Sequence, residues 1–106
     1  MSQIKFLLAL NRCLRERKIG FSEFLVMAYL HGGLVISPVV MGQVSKALGM
    51  LPAHMTRLVN KLQGQGWVTR TIGSDRRTVY AALTPKGRRW FDELMEEVER
   101  CGRESR

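Results

Sequence analysis

Arg76 and Arg77 stand side by side in the stretch GSDRRTVYAALTPKG, residues 73–87. Gly73, Ser74 and Asp75 are turn-formers. Trp67–Ile72 before them and Arg77–Leu83 after them are strand-like runs, so the stretch reads as a β-hairpin with two guanidinium groups at its tip. A hairpin needs no cations there. Something outside the hairpin must need them. Other chemistry is sparse. The chain has no glycine-rich phosphate loop, no paired carboxylates outside a solvated helix face, and no nucleophile beside a base, which argues against an enzyme and calls for no cofactor. Cys13 and Cys101 make neither a metal-ligand spacing nor a disulfide framework. His31 reads as a cation at a helix C-terminus and His54 as an exposed side chain, so no metal site is expected.

The charge distribution sharpens this reading. The 106 residues carry a net charge of +8. Residues 37–89 hold nine Lys or Arg and one acid, Asp75, and so account for an excess equal to the whole net charge. Residues 90–106 are acidic by three charges. Such asymmetry marks a binding surface for a polyanion, nucleic acid foremost, with an anionic membrane surface as the other source of the same signal. Apolar content of 45% and charged content of 25% are those of an ordinary folded domain, and the length suits one domain, 1–106. The apolar run Phe6–Leu10 is too short for a signal-peptide core, and no stretch reaches the ~18–20 apolar residues of a membrane span. These features predict a reducing cytoplasm and no membrane partner.

The elements that must position the arginines follow from periodicity. Residues 2–17 place Ile4, Leu7, Leu8 and Leu14 at helical spacing, with Gly20 as terminator. Ser22 is the expected N-cap of a second helix over 22–31, with Phe24, Leu25, Ala28 and Tyr29 as its apolar face. Leu34–Ile36 suggests a short strand. A third helix buries Val44, Ala47 and Leu48 and ends at Gly49. Pro52 opens a fourth, whose Met55, Leu58, Val59 and Leu62 form an i, i+3, i+4, i+7 stripe closed by Gly64 and Gly66. After the hairpin, Thr84-Pro85 starts a last helix with Trp90, Phe91, Leu94, Met95 and Val98 on its apolar face. The fold class is mainly α with a small β-hairpin. Two short helices joined by a turn and followed by a hairpin make a winged helix-turn-helix over 37–84.

At this level the chain resembles the MarR-type transcriptional regulators. The resemblance rests on KALGMLPAHMTRLVNKLQGQGWVTR and SDRRTVYAALTPKGR, over about residues 43–88. The matching positions are Leu48-Gly49, Thr56-Arg57-Leu58-Val59 with Leu62, Gly66-Trp67-Val68 with Arg70, Asp75 with Arg77, and Leu83-Thr84 with Gly87. It implies a repressor of the winged helix-turn-helix class that binds double-stranded DNA as a homodimer on a pseudo-palindromic site. The helices at 1–19 and 85–104 would dimerise, and a small-molecule effector of unspecified chemistry would sit between them and the winged helix. The recognition helix would present Pro52, Ala53, His54, Thr56, Arg57, Asn60 and Lys61 to the major groove. The wing would present Ser74, Asp75, Arg76 and Arg77, with Arg77 in the minor groove, Arg76 on phosphate and Asp75 bracing an arginine side chain. Ser37, Lys46, Arg70 and Thr71 would meet the DNA backbone.

The chain departs from the family pattern in three places. Leu51 stands where Ser or Thr usually caps the recognition helix, leaving Pro52 to set its start. Val40 stands at the third helix's usual cap, which favours a start at Ser37-Pro38. The C-terminal end has room for one long helix rather than two, so the dimer should be smaller or differently arranged. Two further readings stand beside DNA binding. A winged helix can be an interaction module for an acidic protein. Cys13 is a redox candidate, with Arg12, Arg15 and Arg17 as the charges that would lower its pKa.

Overall fold

A computed structural model of the chain describes residues 2–32 and 38–104. Five helices and three strands run in the order α1 (Gln3–Arg17), α2 (Phe21–His31), β1 (Val39–Val40), α3 (Met41–Leu48), α4 (Pro52–Gly64), β2 (Val68–Ile72), β3 (Val79–Leu83) and α5 (Pro85–Glu104). The strands form one antiparallel sheet in the order β1-β3-β2, with Val39 opposite Ala81 and Ile72 opposite Val79. This is the winged helix-turn-helix that the resemblance implied. The strand expected over Leu34–Ile36 lies outside the described residues, and β1 follows it at Val39.

Local chemistry sets most boundaries. Ser2 caps α1 by accepting from the Lys5 N–H at 3.2 Å. Lys18, at φ 58°, closes that helix in the left-handed region, and the Ile19 N–H reaches back to the Leu14 carbonyl at 2.9 Å. Gly20 is therefore not the terminator expected. It is the N-cap of α2, in place of Ser22, and α2 begins at Phe21. The third helix starts at Met41 with Val40 as an N-cap that makes no side-chain bond, later than Ser37-Pro38, because β1 holds Val39 and Val40 extended against β3.

The core joins Leu10, Cys13 and Leu14 of α1 to Phe24, Met27 and Leu30 of α2, the α4 stripe, and Phe91, Leu94 and Val98 of α5. Three expected faces needed correction. On α1, Ile4, Leu7 and Leu8 are 71%, 55% and 65% exposed, since it is the second half of the helix that enters the core. On α2, Val26, Met27 and Leu30 are buried with Phe24, while Leu25 and Ala28 are half-buried against the core and Tyr29 is exposed. That helix is apolar nearly all round, so its periodicity did not fix a face. On α3, Ser45 is buried with Val44, while Ala47 is exposed. The Ser45 hydroxyl donates to the Met50 carbonyl at 3.2 Å, which satisfies it in the turn.

The start of α5 locks the hairpin to the helices. The Thr84 Oγ1 donates to the Gly66 carbonyl at 2.6 Å and accepts from the Gly87 N–H at 2.9 Å. A Cβ at Gly87 would stand 2.0 Å from the Trp67 carbonyl oxygen, so only glycine lets helix and strand approach this closely. Trp67 stacks on Trp90 with ring centroids 4.3 Å apart, extending the same joint.

Candidate nucleic-acid interface

The turn between α3 and α4 is three residues long, Gly49 to Leu51. Gly49 has φ 64°, and the Met50 N–H bonds the Ser45 carbonyl at 2.9 Å, which ends α3 sharply. Leu51 is the N-cap of α4, extended at φ −68° and ψ 144° with no side-chain bond, and Pro52 occupies the first turn. Met55, Leu58, Val59 and Leu62 are buried as the stripe required. At 100° per residue the opposite face is centred on Ala53, Arg57 and Asn60, all exposed. Pro52 and Thr56 flank it on one side, His54 and Lys61 on the other. The Thr56 hydroxyl donates to the Pro52 carbonyl at 3.0 Å, so it is tied back to its own helix.

Lys61 has a partner within the chain. Its Nζ lies 2.8 Å from Glu23 Oε1 of α2, a carboxylate only 9% exposed in its side chain, and the other oxygen of Glu23 is buried with no partner among the described residues. Lys61 thus anchors α4 to α2. The sequence carried no signal of this, because Glu23 reads there as an ordinary charged residue on a helix.

The wing is built by Asp75. Its Oδ1 accepts from the backbone N–H groups of Arg77 and Thr78, both at 3.0 Å, and its Oδ2 accepts from the Thr78 hydroxyl at 2.7 Å. These bonds, the Thr78 hydroxyl foremost, lower the Asp75 pKa to about 2. Asp75 therefore braces the turn backbone rather than an arginine side chain. Arg76 adopts φ 61°, a left-handed conformation that costs a non-glycine residue about 1–2 kcal/mol and turns the chain at the tip. Ser74, Arg76 and Arg77 are exposed around it.

Wing and helices meet in a groove of about 820 Å³ whose lining includes Lys46 of α3, Thr56 of α4, Arg70 of β2 and Arg77 of the wing. None of the described residues lining it is acidic. Side chains alternate along a strand, so Thr71 faces away from the groove that Arg70 enters. Ser37 lies outside the described residues. The structure thus brings together four of the cations and hydroxyls named from sequence, gives Lys61 a partner on α2, and separates Thr71 from Arg70.

Cys13 is elsewhere, at the contact of α1 and α5. Burial first, then the neighbouring Cys101 and Glu97, pushes its pKa up to about 12. That is opposite to the lowering expected from the arginines around it. Arg17 is instead held by Glu97, whose carboxylate lies 2.6 Å from Arg17 Nη2. No helix among the described residues is long and apolar enough to cross a membrane.

Comparison with known proteins bears on this geometry. No curated protein matches the chain significantly. Solved structures do. A MarR family transcriptional regulator from Rhodococcus sp. RHA1 is 26% identical, with a TM-score of 0.76 over 91% of this chain and 66% of that one. Wild-type apo MarR from E. coli is 24% identical, with a TM-score of 0.77 over 95% of this chain and 73% of that one. Reduced AbfR bound to DNA is 21% identical, with a TM-score of 0.76 over 89% of this chain and 67% of that one. The chain spans just under two thirds of the length of the Rhodococcus protein, and the last two likenesses concern the fold alone. The MarR family's sequence profile matches residues 23–79, from α2 through the wing into the first residue of β3. With more than half its length under that profile and the same fold beneath it, the chain belongs to the MarR family.

Proposed function

We propose that this protein is a sequence-specific regulator of transcription that binds double-stranded DNA in the cytoplasm, as a homodimer and in the repressor sense. The observation that carries the reading is the acid-free groove, in which Lys46, Arg70 and Arg77 converge from three elements beside the outward face of α4. An α-helix fits the major groove and reads base edges there, and a basic hairpin beside it reaches the flanking minor groove. Ala53, Arg57 and Asn60 then face the bases most directly. His54, Pro52 and Thr56 serve as flanking contacts, Arg77 enters the minor groove, and Arg76, Lys46 and Arg70 meet phosphate. The exposed Ile4, Leu7 and Leu8 of α1 favour a second copy as their cover, since burying such residues is worth about 1.5–3 kcal/mol each. An open cleft of about 850 Å³ between α1 and α5, lined in part by Phe6, Leu7 and Met95, has the size of a small-molecule effector site.

Fluorescence anisotropy with duplex DNA from upstream of the protein's own gene, against a scrambled duplex across a salt series, tests the reading. Phosphate neutralisation releases counterions, so affinity should fall steeply with salt, and Arg77→Ala should cost about 1–3 kcal/mol on the preferred duplex. Failure to bind either duplex at low salt would reject the reading in favour of a module for an acidic protein.

A further inference from the structure

The sequence spacing of Cys13 and Cys101 excludes a local metal motif, yet the fold makes them neighbours. Packing of α1 on α5 brings their sulfurs to 3.9 Å across 88 residues of chain. Two metal–sulfur bonds of about 2.3 Å at a tetrahedral angle span about 3.8 Å, so the pair already stands at the separation a zinc-type ion requires. Glu97, one turn before Cys101 on the same face of α5, puts a carboxylate oxygen within 4.8 Å of both sulfurs. Among the described residues this is the one group of three or more His, Cys, Asp or Glu side chains so assembled.

We propose that Cys13, Glu97 and Cys101 form a binding site for a thiophilic divalent cation of the zinc type. The surroundings agree with that assignment. Arg17 Nε and Nη2 both bond Glu97 Oε2, at 3.2 and 2.6 Å, which is the outer-shell support a ligating carboxylate needs. Two thiolates, one carboxylate, the Arg17 guanidinium and a divalent ion sum to zero charge, which favours a site at the edge of the core. Cys13 is fully buried and Cys101 half-buried, so one ligand is fixed by packing while the other is reached by solvent. On binding, each thiol releases its proton to solvent and its sulfur lone pair forms the bond to the metal, while water completes the fourth position. No electron is transferred. The ion would staple α1 to α5, and the inference does not depend on DNA binding.

The test uses the full chain, kept reduced with a phosphine, and titrates Co(II) as the optical probe followed by Zn(II). A sulfur-to-cobalt charge-transfer band saturating at one ion per chain, bleached by Zn(II), is the expected result. Cys101→Ser should abolish the band, and Arg17→Met should weaken binding by about 10–100-fold, as loss of an outer-shell partner does. His31→Ala, which alters the separate His31–Asp92 contact, should leave the titration unchanged. Circular dichroism checks that the variants fold. Protection of the half-buried Cys101 thiol from alkylation by Zn(II) in the wild type provides a readout independent of any variant. The absence of a charge-transfer band, its persistence in Cys101→Ser, or a Cys101 thiol alkylated as fast at saturating Zn(II) as without it would each overturn the proposal.

Discussion

Lys61 lies on α4, the proposed recognition helix, and its pairing with Glu23 decides what it does. Lys61→Met keeps the apolar stem and removes the charge, leaving the Glu23 carboxylate 9% exposed and facing no cation. Breaking a fully buried pair in this way costs about 3–5 kcal/mol. Lys61 is itself 56% exposed, so water screens one side of the pair and the loss should be about 1–3 kcal/mol. In a domain of this size that corresponds to a fall in Tm of roughly 5–20 °C. Urea and thermal unfolding followed by circular dichroism measure both quantities. The double variant Glu23→Gln with Lys61→Met replaces the ion by an amide that needs no counter-ion, and should recover most of the loss. In the same proteins the salt slope of DNA binding should change little in Lys61→Met, because the ammonium is already committed to Glu23. Refutation would be a Lys61→Met protein as stable as wild type whose salt slope falls by about one unit, the signature of a lost phosphate contact.

Three further outcomes follow from the same structure. Gly87→Ala should cost more than about 3 kcal/mol, since its Cβ would meet the Trp67 carbonyl at 2.0 Å, whereas Gly64→Ala, with nothing within 4 Å, should gain up to about 1 kcal/mol; similar urea midpoints for the two would contradict the packing argument. Asp75 has a depressed pKa, so its bracing of the wing is fully present above the ordinary value of 3.8 and is lost as pH falls through about 2. The amide resonances of Arg77 and Thr78 should shift with a midpoint near the lower value, and a midpoint at the ordinary one would refute the bonding described. Leu8→Lys replaces an exposed residue on α1, so it should leave helicity intact and convert the proposed dimer to monomer in sedimentation; a wild-type chain that sediments as a monomer at high concentration would reject the homodimer.

Several features of the protein were legible because a local rule specified them. The stripe of α4 needs only helical geometry and the burial of apolar surface, so Met55, Leu58, Val59 and Leu62 were certain once Pro52 marked the start. Gly49 ends α3 because it adopts a left-handed φ at no steric cost, and the charge excess over 37–89 needs no structure to be counted. What had to wait for the tertiary structure depended on neighbours distant in sequence. Ile4, Leu7 and Leu8 carry the hydrophobic signal of a core face, yet only the packing of α1 on α5 determines which apolar residues are covered within one chain. Glu23 became a buried partner because α2 lies against α4. Cys13 and Cys101 are too far apart in the chain for any spacing rule, and helix packing alone closes their sulfurs to 3.9 Å. Periodicity and turn chemistry act over a few residues and can be read directly from a sequence. A long-range contact is the outcome of the whole core, and exists only once the chain has folded.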